Sequence, residues 1–228
     1  MSLADRILYE DNHLIIVNKL AGEIVQGDKT GDTPLVELVK NYLKEKYDKP
    51  GNVFCGLVHR IDRPVSGAVI FAKTSKALAR MNEIVKARKI SKIYWALVEK
   101  APLIAEQKLV GYVRKNEQTN KTQVSPTPKD GFVVAELSYK TIRQLTNYTL
   151  LEVELYTGRH HQIRAQLSAN GTVIKGDLKY GAKRSNRDGS ISLHSYKVEF
   201  EHPVRHEMVT VTAPLTGEMA ALLGAGSR

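Results

Sequence analysis

Cysteine is nearly absent from this chain of 228 residues, with Cys55 the only one. An internal disulfide is thereby excluded, as are a zinc ribbon and a dithiol redox motif, and a reducing, cytoplasmic compartment is expected. No apolar run approaches the roughly 18 residues that a spanning helix needs. The opening stretch MSLADRILYEDN has acidic residues where a secretory signal would carry its hydrophobic segment. A soluble, untargeted protein with no membrane partner is the expectation.

Other signatures are missing as well. There is no G-x-x-x-x-G-K-[ST] loop, since GDKTGDT lacks both its spacing and its ending, and no G-x-G-x-x-G follows a strand. A nucleotide cofactor is not expected, nor any other. The seven histidines include the neighbours His160 and His161, but no H-E-x-x-H or H-x-E with C-x-x-C is present, so no metal site is expected. Ser66 lies in V-S-G-A, which is not the elbow of a serine hydrolase.

What is abundant is positive charge. Lys and Arg number 34 against 24 Asp and Glu, a formal balance of +10. Nucleic acid is the first candidate partner for such a chain and an anionic membrane surface the second. Hydrophobic residues make up 42%, enough for the core of one domain or two closely packed lobes.

Residues 7–18 read as two short strands around the turn Asp11-Asn12-His13, or as one strand after an entry loop, followed by a loop rich in Gly and charge over 22–32. Thr33 as a cap, Pro34 at the first helical position and Leu35, Leu38, Val39, Tyr42 and Leu43 on one face predict a helix ending before Pro50-Gly51. A second is predicted over 76–89, with Leu78, Met81 and Val85 as its stripe. AVIFA, IYWALV, 134–142 and 149–156 predict strands, and 193–200 and 208–213 complete a strand-rich C-terminal half. The polar stretch 114–131 reads as an exposed loop or lobe junction. The fold class is α+β, with a largely antiparallel mixed central sheet flanked by helices.

Two segments place ionisable groups beside glycines at structural transitions. In His59-Arg60-Ile61-Asp62-Arg63-Pro64-Val65-Ser66-Gly67, an aspartate between two arginines is kept anionic and available as a nucleophile, or it makes a surface ion pair in a turn. In Tyr156-Thr157-Gly158-Arg159-His160-His161-Gln162-Ile163-Arg164, a strand runs into a helix whose start presents N–H donors and cations, either to an anion or to solvent.

Together these segments resemble the RluA family of RNA pseudouridine synthases. HRIDRPVSG is similar to that family's H-R-L-D-x-x-T-S-G, TGRHHQIR to T-G-R-T-H-Q-I-R, and GDLKYG to G-D-x-x-Y-G. VNKLAG, KIYWALV and LHSYKVEFEHP match three further landmarks, all in the family's order and across nearly the whole chain. Val65, His160 and Leu20 depart from the usual Thr, Thr and Pro. The resemblance implies a pseudouridine synthase fold with a catalytic cleft between two packed lobes, as a single catalytic domain over 1–228 without a separate N-terminal RNA-binding domain. It implies isomerisation of uridine in ribosomal or transfer RNA by base flipping, without cofactor. Asp62 is the expected catalytic carboxylate, Arg164 the cation that keeps it in place and ionised, and Tyr94 the side chain stacked on the uracil. Arg60, Arg63, Arg159, His161 and Gln162 are expected to bind RNA, with Lys175, Lys179, Lys183 and Arg184 extending the phosphate-binding surface. A monomer needing no protein partner is expected. A catalytically silent RNA-binding protein and an RNA uridine glycosidase are the rival readings.

Overall fold

The structure is a computed structural model that describes residues 2–28 and 30–224. Its elements are, in order, β1 (Ile7–Glu10), β2 (Leu14–Lys19), α1 (Leu35–Lys46), β3 (Gly56–Leu57), β4 (Ser66–Ala72), α2 (Ser75–Lys86), β5 (Ile90–Val98) and β6 (Glu106–Asn116). There follow β7 (Lys121–Ser125), β8 (Val133–Gln144), β9 (Thr149–Leu155), α3 (Gln162–Ala169), β10 (Leu193–Glu201), β11 (Met208–Thr212) and α4 (Gly217–Gly224). No helix among the described residues is long and apolar enough to cross a membrane. The chain forms two compact units, one up to Ile90 together with Ser195–Thr216, the other of Ser91–His194 with the residues from Gly217.

In the first unit the strand order is β1-β2-β4-β10, with β3 beside β4 and β11 beside β10. The β1/β2, β2/β4, β3/β4 and β10/β11 pairs are antiparallel. Every residue of β2 and β4 is buried, which explains why AVIFA is continuously apolar and does not alternate. Leu14, Ile16, Ile70, Met81, Phe200 and Val211 belong to one core cluster there. Gly67 has φ +114°, and a Cβ on it would lie 2.3 Å from the Ser195 carbonyl oxygen, so only glycine permits this backbone approach.

Both predicted helices of this unit form. Thr74 caps α2, its Oγ1 accepting from the Ala77 N–H at 3.1 Å. Thr33 does not cap α1. Pro34 occupies that position in extended conformation, and the Leu35 and Val36 N–H groups donate instead to the Ile24 and Val25 carbonyls. The loop before the helix thus does what a side-chain cap would do.

The C-terminal end of α1 is tied to the sheet through Glu10. Its carboxylate accepts from Tyr47 Oη at 2.6 Å, Lys73 Nζ and Lys46 Nζ at 2.8 Å each, and Tyr42 Oη at 3.0 Å. Burial raises the Glu10 pKa, but these four donors outweigh it and hold the group at about 2. A carboxylate depressed in the folded state stabilises above its unfolded value, and that contribution disappears as pH falls through the folded one. Unfolding free energy is therefore expected to drop by about 3 kcal/mol at most between pH 5 and pH 2. In Glu10→Gln this portion of the pH dependence should be missing; a denaturant titration series in which both proteins lose stability equally would refute the assignment.

In the second unit the order is β5-β9-β8-β6-β7, antiparallel throughout. The expected strands appear at Val133–Gln144 and Thr149–Leu155. The stretch 114–131 is only in part a loop. Its first part closes a β6–β7 hairpin with Arg114 opposite Gln123 and Lys115 opposite Thr122. The ribbon buries polar Thr122 and Ser125 and so shows little apolar alternation, which hid the strands from a pattern of hydrophobicity.

Candidate active site

The loop that carries Asp62 is built around a buried lysine. Lys19, at the end of β2, is 0% exposed, and its Nζ donates to the carbonyls of Leu20 at 2.9 Å, Arg63 at 3.0 Å and Val65 at 2.7 Å. The Arg63 carbonyl also accepts the Gly22 N–H at 2.8 Å, and the Val65 N–H closes a turn on the Asp62 carbonyl at 3.0 Å. These bonds run through main chain, so the loop keeps its shape whatever side chain stands at position 62. Burial pulls Lys19 down to about 7, partly offset by the negative charges of Glu23 and Asp62. The NKLAG segment thus fixes the HRIDR loop from below.

Asp62 itself is partly exposed, and Arg60 and Arg63 beside it are exposed. Arg63 pairs with Asp32 at 2.6 Å, both partners about half exposed. Such a pair contributes little stability and is readily exchanged for a phosphate.

In the second unit, the TGRHHQIR segment turns from β9 into α3. Gln162 is only 2% exposed, and all four hydrogen-bonding positions of its amide are taken. Oε1 accepts from Thr157 Oγ1 at 2.8 Å and from the Arg159 N–H at 3.0 Å; Nε2 donates to the Glu136 carbonyl at 3.0 Å and to Gln166 Oε1 at 2.9 Å. In this structure its amide braces the turn. His161 takes the left-handed conformation with φ 48° at the start of α3. Its ring stacks on His160 with centroids 3.7 Å apart, and its Nδ1 lies 2.9 Å from Tyr180 Oη. Burial first, then the charges of Arg164 and its neighbours, lower its pKa to about 2. His161 is accordingly a neutral imidazole.

Arg164, one turn further on, is 5% exposed and forms a fork with Asp177, Nε to Oδ2 at 2.7 Å and Nη2 to Oδ1 at 2.8 Å. Tyr180 lies across the guanidinium, 5.1 Å from its carbon to the ring centroid. Asp177 and Tyr180 belong to GDLKYG, so that motif serves as the holder of the arginine. Gly176 before it has φ +87°, and a Cβ there would meet Asn186 Oδ1 at 2.6 Å. Thr122 on the β6–β7 hairpin joins the group, donating through its N–H to Tyr180 Oη at 2.7 Å and through Oγ1 to the His160 carbonyl at 2.7 Å. Sequence reasoning missed Asp177, Tyr180 and Thr122 as supports, though the first two stood in a quoted motif.

Tyr94 is buried at 6% exposure on β5, opposite Val153 of β9. Arg159 is exposed, with Nε donating to the Val134 carbonyl at 3.1 Å. Lys179, held by the Asn120 carbonyl, Lys183 and Arg184 lie toward solvent. Lys175 does not join them: it is buried, and its Nζ bonds Asn186 and Glu218. Glu218 comes from α4, a short helix with no clear sequence pattern, so this internal partner could not be foreseen.

Comparison with known proteins agrees with the motifs. The family described as RNA pseudouridylate synthase matches residues 13–169. "Ribosomal large subunit pseudouridine synthase C" of Buchnera aphidicola subsp. Acyrthosiphon pisum is 33% identical over 94% of this chain and 68% of its own length. An uncharacterised RNA pseudouridine synthase of Bacillus subtilis is 30% identical over 95% of this chain and 70% of its own. Among solved structures, human RNA pseudouridylate synthase domain containing 4 superposes with a TM-score of 0.82 at 21% identity, covering 97% of this chain and 93% of that one, and so shares the fold. The chain belongs to the RNA pseudouridylate synthase family, in the RluA type that its motifs resemble, and is an isomerase that acts on RNA.

Proposed function

We propose that this synthase converts uridine in large-subunit ribosomal RNA, working as one catalytic domain in a cytoplasmic monomer. The observation that carries the substrate is the 33% identity, across almost the entire chain, to a relative named for the ribosomal large subunit. In this reading Asp62 acts on the ribose of a flipped-out uridine, as nucleophile at C1′ or base at C2′. The N1–C1′ bond breaks, the uracil turns, C5 bonds to C1′, and the proton lost from C5 is balanced by one gained at N1. No redox partner or co-substrate enters that balance. Arg164 supplies a positive charge to the reaction, and Tyr94 stacks on the detached base. Arg60, Arg63 and Arg159, all exposed, contact the RNA backbone, and neutral His161 offers a ring edge and no charge.

Site-resolved pseudouridine mapping of total RNA from cells with and without the gene tests this. One or a few large-subunit ribosomal positions should lose their signal in the deletion strain and regain it with the wild-type gene. Losses confined to transfer RNA, or none, would overturn the substrate assignment.

A further inference from the structure

Lys92 is the cation in the second unit that the architecture does not account for. It lies on β5 two residues before Tyr94, and in a strand residues at this spacing share a face. The side chain is partly buried, and burial alone depresses its pKa below the ordinary lysine range, with no neighbouring charge contributing. Among the described residues no carboxylate pairs with it. Lys175, by contrast, has Glu218, and Lys73 has Glu10. The ammonium rests against the turn before α3: a methyl group placed on Gly158 would lie 3.6 Å from Lys92 Nζ.

A desolvated cation without a counter-ion is costly, and buried lysines are almost always paired. An arrangement that keeps one, beside a glycine that places no side chain against its head, fits a site completed by an anionic ligand. For an RNA enzyme that ligand is a phosphodiester. Two residues along a strand span about 7 Å, comparable to the reach from a nucleotide's base to its own phosphate. A base stacked on Tyr94 would therefore put its phosphate within range of Lys92. We propose that Lys92 binds a phosphate of the target nucleotide, an assignment that rests on the synthase reading with Tyr94 at the uracil.

The test uses the full-length enzyme and a stem–loop transcript spanning a large-subunit ribosomal uridine whose pseudouridine signal is lost in the deletion strain. Affinity is measured between about 50 and 200 mM salt, where each phosphate contact contributes close to one unit of the log–log slope. Lys92→Met is expected to bind about tenfold more weakly with a slope shallower by about one, and Lys92→Arg to restore both. A neutral methylphosphonate at one linkage of the target uridine should weaken wild type to the same degree and leave Lys92→Met unaffected. Unchanged affinity and slope in Lys92→Met, or equal weakening in Met and Arg variants at unchanged slope, would overturn the proposal. Lys92→Gln gives the same reading if the Met variant does not fold, as judged by circular dichroism. Binding with a normal Lys92 effect but no pseudouridine from wild type would instead defeat the synthase reading.

Discussion

Asp62→Asn is expected to form no detectable pseudouridine, a loss on the order of 10⁴-fold or more, while binding the same RNA nearly as well as wild type. The substitution is isosteric and removes only the charge and nucleophilicity of the carboxylate. The loop around it should not collapse, because its supports are main-chain carbonyls held by Lys19 and the turn from the Val65 N–H. The effect on Lys19 has a definite sign: Asp62 raises the pKa of that buried lysine, so its removal lowers it further. Single-turnover conversion and filter binding on one transcript separate the two quantities. Full activity in Asp62→Asn would remove the aspartate from the mechanism. The same assay answers the glycosidase alternative, since free uracil accumulating without pseudouridine from wild type would show that the bond breaks and is not re-formed.

Much of this was legible in the sequence, for reasons that differ between elements. α2 and the strands β8 and β9 follow from periodicity, because each buries one face. Asp62 and Arg164 stood out through the order of their motifs, which carries more information than any single spacing. The β6–β7 hairpin escaped since its buried positions include polar Thr122 and Ser125, and register there is set by pairs such as Lys115 with Thr122. The internal bonds of Gln162 and Lys175 were not legible for a shared reason. A polar side chain in a basic segment looks available to RNA until its internal partners are known, and those partners, Glu136 and Glu218, lie 26 and 43 residues away. The sequence showed which side chains have suitable chemistry but not which ones the fold had already engaged.

The fork between Arg164 and Asp177 provides the sharpest test of that distinction. Both side chains are almost wholly buried, at 5% and 1% exposure. Breaking such a buried pair by removing one partner is strongly destabilising, at a cost of about 3–5 kcal/mol. Asp177→Leu should therefore lower the unfolding free energy by about that amount, since the guanidinium loses two hydrogen bonds and keeps its desolvation. Replacing both, Arg164→Met with Asp177→Leu, removes the buried cation together with its carboxylate, and an apolar pair of similar volume is often neutral or stabilising. The double variant is expected to recover most of the stability in a denaturant titration. It should not recover activity, because the proposed role of Arg164 needs the charge that methionine lacks. A double variant as unstable as the single one would mean that the pair supports the fold of the α3 turn directly. A double variant that is both stable and active would show that Arg164 takes no part in the reaction.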